Sequence, residues 1–242
     1  MKVIIIGLPR TRSSYLIDVV AKSLKLKNKF ESYVDVMTGS LLAAKSGWNK
    51  NYWNNYTDKL TLITNNWFID DNFVVKLFPN MLMSPDLKYI EKNLEFLRLR
   101  EYDKIYVLHR QNIYDMIISQ LIARQIGRFL YEANKSFSKN VYNTSIDFST
   151  NKVLKEIDYI ITGVILHDRI KQYLEERNVN FTLLEYHDIP EYVQENYPNV
   201  TSSYQELNIN YKDCIKNYDQ ICDYIDTRIN ALSEKYSSLK IE

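Results

Sequence analysis

Val3-Ile4-Ile5-Ile6-Gly7-Leu8-Pro9-Arg10-Thr11-Arg12-Ser13-Ser14 decides how the chain reads. Four consecutive β-branched residues ending in glycine suit a strand buried on both faces, as in a parallel sheet covered by helices. Past the loop, Ser13 to Leu24 carries Leu16, Val19, Val20 and Leu24 at helical spacing. The stretch is therefore a strand, a turn and a helix, and the alternation recurs downstream. Phe73 to Phe78, Asp103 to His109 and Asn180 to Tyr186 read as strands. Pro85 to Leu99, Asn112 to Ala133, Lys152 to Arg177, Asp188 to Glu195 and Tyr211 to Lys235 read as helices. Strands alternating with helices imply right-handed crossovers and a parallel sheet. The expected fold is an α/β three-layer sandwich with a central parallel sheet of at least four strands and helices on both faces. No repeat or linker marks a boundary, so residues 1–242 are expected to form one domain. Residues 32–72, with Trp48, Trp53 and Trp67 among Asn and Tyr, form helices or a lid, and residues 200–242 a helical tail.

Composition narrows the classes of function. Of 242 residues, 45% are hydrophobic, enough for a sizeable core. With 31 basic and 30 acidic side chains the net charge is +1, so no whole-molecule field draws nucleic acid or an acidic membrane. Any anion must be bound by a local basic site. Cys214 and Cys222 lie eight apart in one expected helix, about 12 Å at 1.5 Å per residue, which no disulfide spans. No Cys/His cluster has metal-ligand spacing, so a disulfide scaffold and a zinc domain are both set aside. The apolar run at the amino terminus is too short for a signal peptide, and none approaches a membrane span. A soluble, cytoplasmic protein is expected.

In parallel sheets of this kind ligands bind beyond the carboxyl ends of the strands. The loop after the first strand has the length of a phosphate-cradling P-loop, whose nucleotidase form is G-x-x-x-x-G-K-[ST]. Amides at a helix start, with the dipole behind them, make an anion site. Ser13 and Ser14 add hydroxyls, and Arg10 and Arg12 add charge. The departures are informative. Arg12 stands at the second glycine and Ser13 where a nucleotidase holds the lysine that bridges β- and γ-phosphates. Val107-Leu108-His109-Arg110 also lacks an acid to hold magnesium. An anion other than a triphosphate is indicated.

Gly7-Leu8-Pro9-Arg10-Thr11-Arg12-Ser13-Ser14-Tyr15-Leu16 resembles the P-[KR]-[ST]-[GR]-[ST]-[ST]-x-L loop of sulfotransferases. These have a P-loop-type fold and take their sulfuryl group from 3′-phosphoadenosine 5′-phosphosulfate (PAPS), leaving PAP. The Arg12 form is similar to that of short bacterial and phage members. The resemblance implies that Arg10, Thr11, Arg12, Ser13 and Ser14 surround the 5′-phosphosulfate. It implies a 3′-phosphate site from a strand-end arginine and a serine on the next helix, here Arg110 and Ser119. Asn112 keeps the family's spacing to Ser119, which puts Gln111 at the usual arginine position and Arg110 one residue early. Val74-Val75-Lys76-Leu77-Phe78-Pro79 is similar to the strand that carries a catalytic lysine. Phe78 stands where the animal cytosolic enzymes have a histidine base. Phe181 to Ile189 is similar to a strand ending Tyr-Glu-Asp-Leu, with His187 in place of the glutamate. The glycine-containing motif that completes the 3′-phosphate site in cytosolic members has no counterpart near the carboxyl end.

The implied reaction moves a sulfuryl group from PAPS to a hydroxyl or amine of a small-molecule, glycan or peptide acceptor, without a metal. Arg10, Arg12 and Lys76 neutralise the leaving phosphate, and a carboxylate or imidazole takes the acceptor's proton. Glu31 is the candidate base. His109 is the other candidate for that role, or orients the phosphate site, and His167 on an apolar helix face is structural. Residues 48–67 line an acceptor cleft or bury into the core. Two other functions fit the same residues. One is a P-loop kinase or nucleotidase with Glu185 or Asp188 on magnesium, the other a PAP-binding module without catalysis. Neither nucleic acid nor membrane is expected as a partner.

Overall fold

The computed structural model describes residues 1–29, 64–65, 67–79, 94–95, 97–125, 145–146, 151–202 and 210–237. Five parallel strands form the sheet: β1 (Lys2–Gly7), β2 (Lys27–Asn28), β3 (Phe73–Leu77), β4 (Lys104–His109) and β5 (Thr182–Glu185), in the order β2-β3-β1-β4-β5. β1 lies at the centre, with Ile4 opposite Val75 of β3 on one side and Ile105 of β4 on the other. The helices are α1 (Ser13–Ser23), α2 (Ile113–Gln125), α3 (Asn151–Glu176), α4 (Ile189–Asn196), α5 (Tyr211–Cys214) and α6 (Tyr218–Ser237). The expected α/β sandwich is present.

Strand side chains alternate between faces with period two. Val3, Ile5, Val74, Tyr106, Leu108 and Leu184 pack with Leu16, Val19 and Val20 of α1 and Val193 of α4. Ile4, Ile6, Val75, Leu77, Ile105 and Val107 pack with Ile170 and Leu174 of α3, and with Trp67, which is core. A third cluster joins α2, α3 and α6 through Met116, Ile117, Ile157, Ile161, Ile221 and Ile225. Each fully buried aliphatic side chain contributes about 1.5–3 kcal/mol, so near-complete burial of Val3 to Ile6 makes β1 the strand on which both layers rest.

Several elements differ from the sequence expectation. The edge strand β2 has no apolar signature, because Lys27 and Asn28 are both exposed while their backbone joins β3. Lys29, although charged, is buried; its Nζ donates to Trp67 O at 2.9 Å and meets Asp70 at 2.6 Å. The helix expected to run to Leu99 ends earlier, since Arg98 has φ 54° and residues 99–101 form a 3-10 turn. The tail is two helices rather than one. Between them Ile215 is extended, and the Asn217 side chain donates to Ile146 O at 2.8 Å and accepts from Ile146 N at 3.1 Å. That amide acts as a strand partner for residue 146 and stops the helix. The helical spacing of Cys214 and Cys222 therefore does not apply, and Cys222 is a free thiol. No described helix is long and apolar enough to cross a membrane.

The chain passes from β3 over β1 to β4, so strand order reverses beside β1. In sheets of this kind the crevice that takes ligands lies at such a reversal, outside the carboxyl ends. Gly7 ends β1 there with little room to spare: a Cβ would lie 2.8 Å from Thr11 Oγ1 and 3.0 Å from Leu108 Cβ. Thr11 cannot swing away, because it is fully buried and its hydroxyl donates to Leu8 O at 2.7 Å. Gly7→Ala is expected to destabilise the protein by about 1–3 kcal/mol, the usual cost of overpacking. A urea midpoint equal to the parent's would show that the loop gives way without loss.

Candidate anion-binding site

The β1–α1 loop enters the left-handed region twice, at Arg10 with φ 67° and at Arg12 with φ 58°. For a side chain with a Cβ this costs about 1–2 kcal/mol per residue, and such strain gathers at functional sites. It also gives physical sense to glycine or arginine at position 12 of the resembling pattern: glycine meets that φ without strain. Alternating left-handed residues turn successive amides toward a common point, the geometry of an anion nest. α1 starts from Arg12 with no side-chain cap, and Leu16 N donates to Arg12 O at 3.0 Å.

Around this loop the fold gathers residues from three other elements. Lys76 shares a sheet face with Val74, toward α1, and its Nζ donates to Ser14 Oγ at 3.0 Å. It is 2% exposed and lies 4.8 Å from the Phe78 ring. Arg10 Nε donates to Ser119 Oγ of α2 at 2.8 Å, and Arg110, just past β4, donates to Arg10 O at 2.9 Å. Ser119 is itself buried. Arg10, Arg12, Arg110 and Ser119, all singled out in the sequence, are thus linked around this loop, and Lys76 reaches the same loop at Ser14. Thr11 and Ser13 are buried, and the Thr11 hydroxyl is directed to Leu8 O. Any contact Thr11 makes with a ligand is through its backbone. Glu31 lies outside the described residues, as do Trp48 and Trp53.

Tyr186, just past β5, is the residue the sequence reading passed over. Arg12 donates to its carbonyl and stands 4.0 Å over its ring, and Arg110 stands 4.3 Å from the same ring. One aromatic ring thus holds two guanidinium groups that repel each other. Burial lowers the pKa of Arg12, the adjacent Arg110 adds to that, and Tyr186 opposes both. The signal was present in Leu184-Glu185-Tyr186, a strand end directed at the same crevice. His109 and Glu185 close adjacent strands: Nδ1 of His109 lies 2.9 and 3.0 Å from the two carboxylate oxygens. Glu185, the acid considered for magnesium, is therefore committed to an imidazole. No group of three His, Cys, Asp or Glu suited to a metal occurs among the described residues.

These cations and hydroxyls suit a ligand with more than one anionic group. No protein-family model matches the chain, and no curated protein is similar to it.

Lys76 gives the site a measurable signature. Burial pushes its ammonium down to about 7, far below the ordinary lysine value near 10.4. Between those values the unfolded chain binds a proton that the fold does not. This group's penalty is therefore complete below about pH 7 and is relieved as pH rises toward about 10. Lys76→Met is expected to be more stable than the parent at neutral pH. The gap should narrow by roughly 1.4 kcal/mol per pH unit across the window. Urea titrations of both proteins at several pH values test this, and a constant gap would place the charge in solvent.

Proposed function

We propose that this protein is a sulfotransferase that moves a sulfuryl group from PAPS to a hydroxyl or amine acceptor. The observation that carries the reading is the Arg10–Ser119 hydrogen bond of 2.8 Å, beside the Arg110–Arg10 bond of 2.9 Å. Arg10 belongs to the loop expected to hold the 5′-phosphosulfate, and Ser119 and Arg110 to the elements expected to hold the 3′-phosphate. One nucleotide with an anion at each end suits a site whose two halves already touch. The donor set of guanidinium, ammonium and hydroxyl groups matches such a ligand, because charged pairs and bidentate arginine contacts are the strong hydrogen bonds.

In the reaction, the bond from sulfur to the phosphate oxygen breaks and a bond from sulfur to the acceptor forms. Charge grows on the departing phosphate, where Arg10, Arg12 and Lys76 stabilise it. Lys76 is suited to this role because an anion beside it favours its charged form. The acceptor's proton goes to a base, for which Glu31 remains the proposed residue. The leaving phosphate needs no metal when cations surround it.

A thermal-shift panel separates the possible ligands. PAP is expected to raise the melting temperature more than ADP, and more than ATP with magnesium. The difference reflects the 3′-phosphate partners Arg110 and Ser119. Equal shifts with PAP and ADP would remove the 3′-phosphate site, and a dominant response to ATP with magnesium would favour a kinase. Arg10→Ala removes a charge-assisted hydrogen bond of about 1.5–3 kcal/mol, so PAP affinity should fall roughly ten- to a hundredfold. Isothermal titration with PAP measures it, and unchanged affinity would reduce the loop to a strand–helix turn.

A further inference from the structure

Arg12 belongs to the β1–α1 loop and Arg110 to the turn after β4, and one aromatic ring lies against both. The Arg12 guanidinium carbon is 4.0 Å from the centroid of the Tyr186 ring, and that of Arg110 is 4.3 Å from it. The ring is placed by its own backbone. Tyr186 N donates to His109 O at 2.8 Å, one residue past the last paired position of β4 and β5, and Asp188 N donates to Glu185 O at 3.0 Å. The His187 ring stands against it edge-on, with centroids 5.3 Å apart and planes at 84°. Arg12 also donates to the Tyr186 carbonyl, a main-chain acceptor present whatever side chain stands at 186. Arg110 in turn donates to Arg10 O at 2.9 Å, and Arg10 to Ser119 Oγ at 2.8 Å, so the ring is continuous with the rest of the site.

An aromatic face suits this place. A carboxylate between two arginines would hold them more strongly, but it would neutralise the charge that an anionic ligand needs. The ring quadrupole attracts both guanidinium groups and leaves each its full charge. It acts against two other forces: Asp115 on α2 attracts Arg110, and Arg110 and Arg12 repel each other. An arginine already held in place gives up less side-chain freedom when a ligand arrives, the general advantage of preorganisation.

Resting on the PAPS reading above, we propose that Tyr186 is a positioning residue that couples the two phosphate subsites. Its ring holds Arg12 of the 5′ loop and Arg110 of the 3′ element in one arrangement, so a nucleotide with an anion at each end meets both cations together. Tyr186 acts through the two arginines and not on the nucleotide. Its ring therefore matters more for a ligand that uses both arginines than for one that uses only Arg12.

The test is calorimetric titration of the full chain with PAP and with ADP, for the parent, Tyr186→Phe and Tyr186→Leu. Both variants lack the hydroxyl, so their difference isolates the ring. PAP is expected to bind Tyr186→Phe about tenfold more tightly than Tyr186→Leu, the size of two modest cation–ring contacts. For ADP, which has no 3′-phosphate, the difference should fall to about threefold, the share of one guanidinium. The PAP difference should fall to the same value when Arg110→Gln is added to both variants. Side-chain NMR of the parent gives a second measurement that no variant's folding can affect: the Cδ protons of Arg12 and Arg110 should be shifted from their ordinary positions by the ring, free and with PAP bound. Equal PAP affinity in Tyr186→Phe and Tyr186→Leu, or ordinary shifts for both arginines, overturns the proposal and leaves the PAPS reading intact. So does a Phe-to-Leu difference that is the same for PAP and ADP and undiminished by Arg110→Gln, because the ring would then touch the nucleotide itself. Absence of any preference for PAP over ADP in the parent overturns the PAPS reading, and the proposal with it.

Discussion

A methyl group's worth of space at Gly7 sets the geometry of everything above the sheet. The strand before it is enclosed on both faces, and its two neighbours fix its register through Val75 and Ile105. The chain leaves the core where Thr11 and Leu108 press against the glycine from two sides. Thr11 is held by the Leu8 carbonyl, so the loop has one way to turn, through left-handed Arg10 and Arg12. That turn begins α1 at Ser13 and brings Ser14 within reach of Lys76. Packing in the core and placement of the hydroxyls are thus one problem, solved at a single residue.

The second constraint is electrostatic. Arg10, Arg12 and Arg110 lie close to one another, with Lys76 buried against Ser14 of the same loop, and placing cations together or out of water is unfavourable without compensation. The compensation visible in the fold is of several kinds. Arg12 and Arg110 lean on one tyrosine ring, Arg110 also donates to a loop carbonyl, and Arg10 donates to a buried serine. Lys76 gains a hydroxyl and an aromatic ring, yet burial still shifts it toward neutrality. Two residues of this loop, Arg10 and Arg12, also hold strained left-handed backbone.

The helical layers serve the site unequally. α1 supplies Ser14, and α2 supplies Ser119 to Arg10. α3 covers the face of β1 and β4 and stacks His167 behind His109. A carboxylate at the end of β5 is thereby bound to an imidazole at the end of β4, and the crevice has one acidic edge beside a cationic centre. Tyr186 occupies the boundary between the two, its ring against both arginines.

Hydrophobic pattern carried the sheet. Val3 to Ile6, Phe73 to Leu77 and Lys104 to His109 are legible as strands because continuous burial leaves continuous apolar runs. The long helix at Asn151–Glu176 is legible from its 3.6-residue period for the same reason. Loop chemistry was legible too, since Arg10, Arg12 and Ser14 follow a strand end within a few residues. What could not be read is whatever depends on partners distant in the chain. β2 exists because its backbone meets β3, and nothing in Lys27-Asn28 records that. The tail breaks because Asn217 pairs with Ile146, 71 residues away. Lys29 is buried because Asp70 and the Trp67 carbonyl wait for it. By itself the sequence determined a buried parallel sheet and a basic loop at the end of its first strand. Only the tertiary structure decided that Ser119 meets Arg10, that Tyr186 holds Arg12 and Arg110, and that Glu185 fixes His109. Those contacts arise from strand order, which places β4 and β5 side by side, and strand order is a property of the packed sheet rather than of any local run of residues.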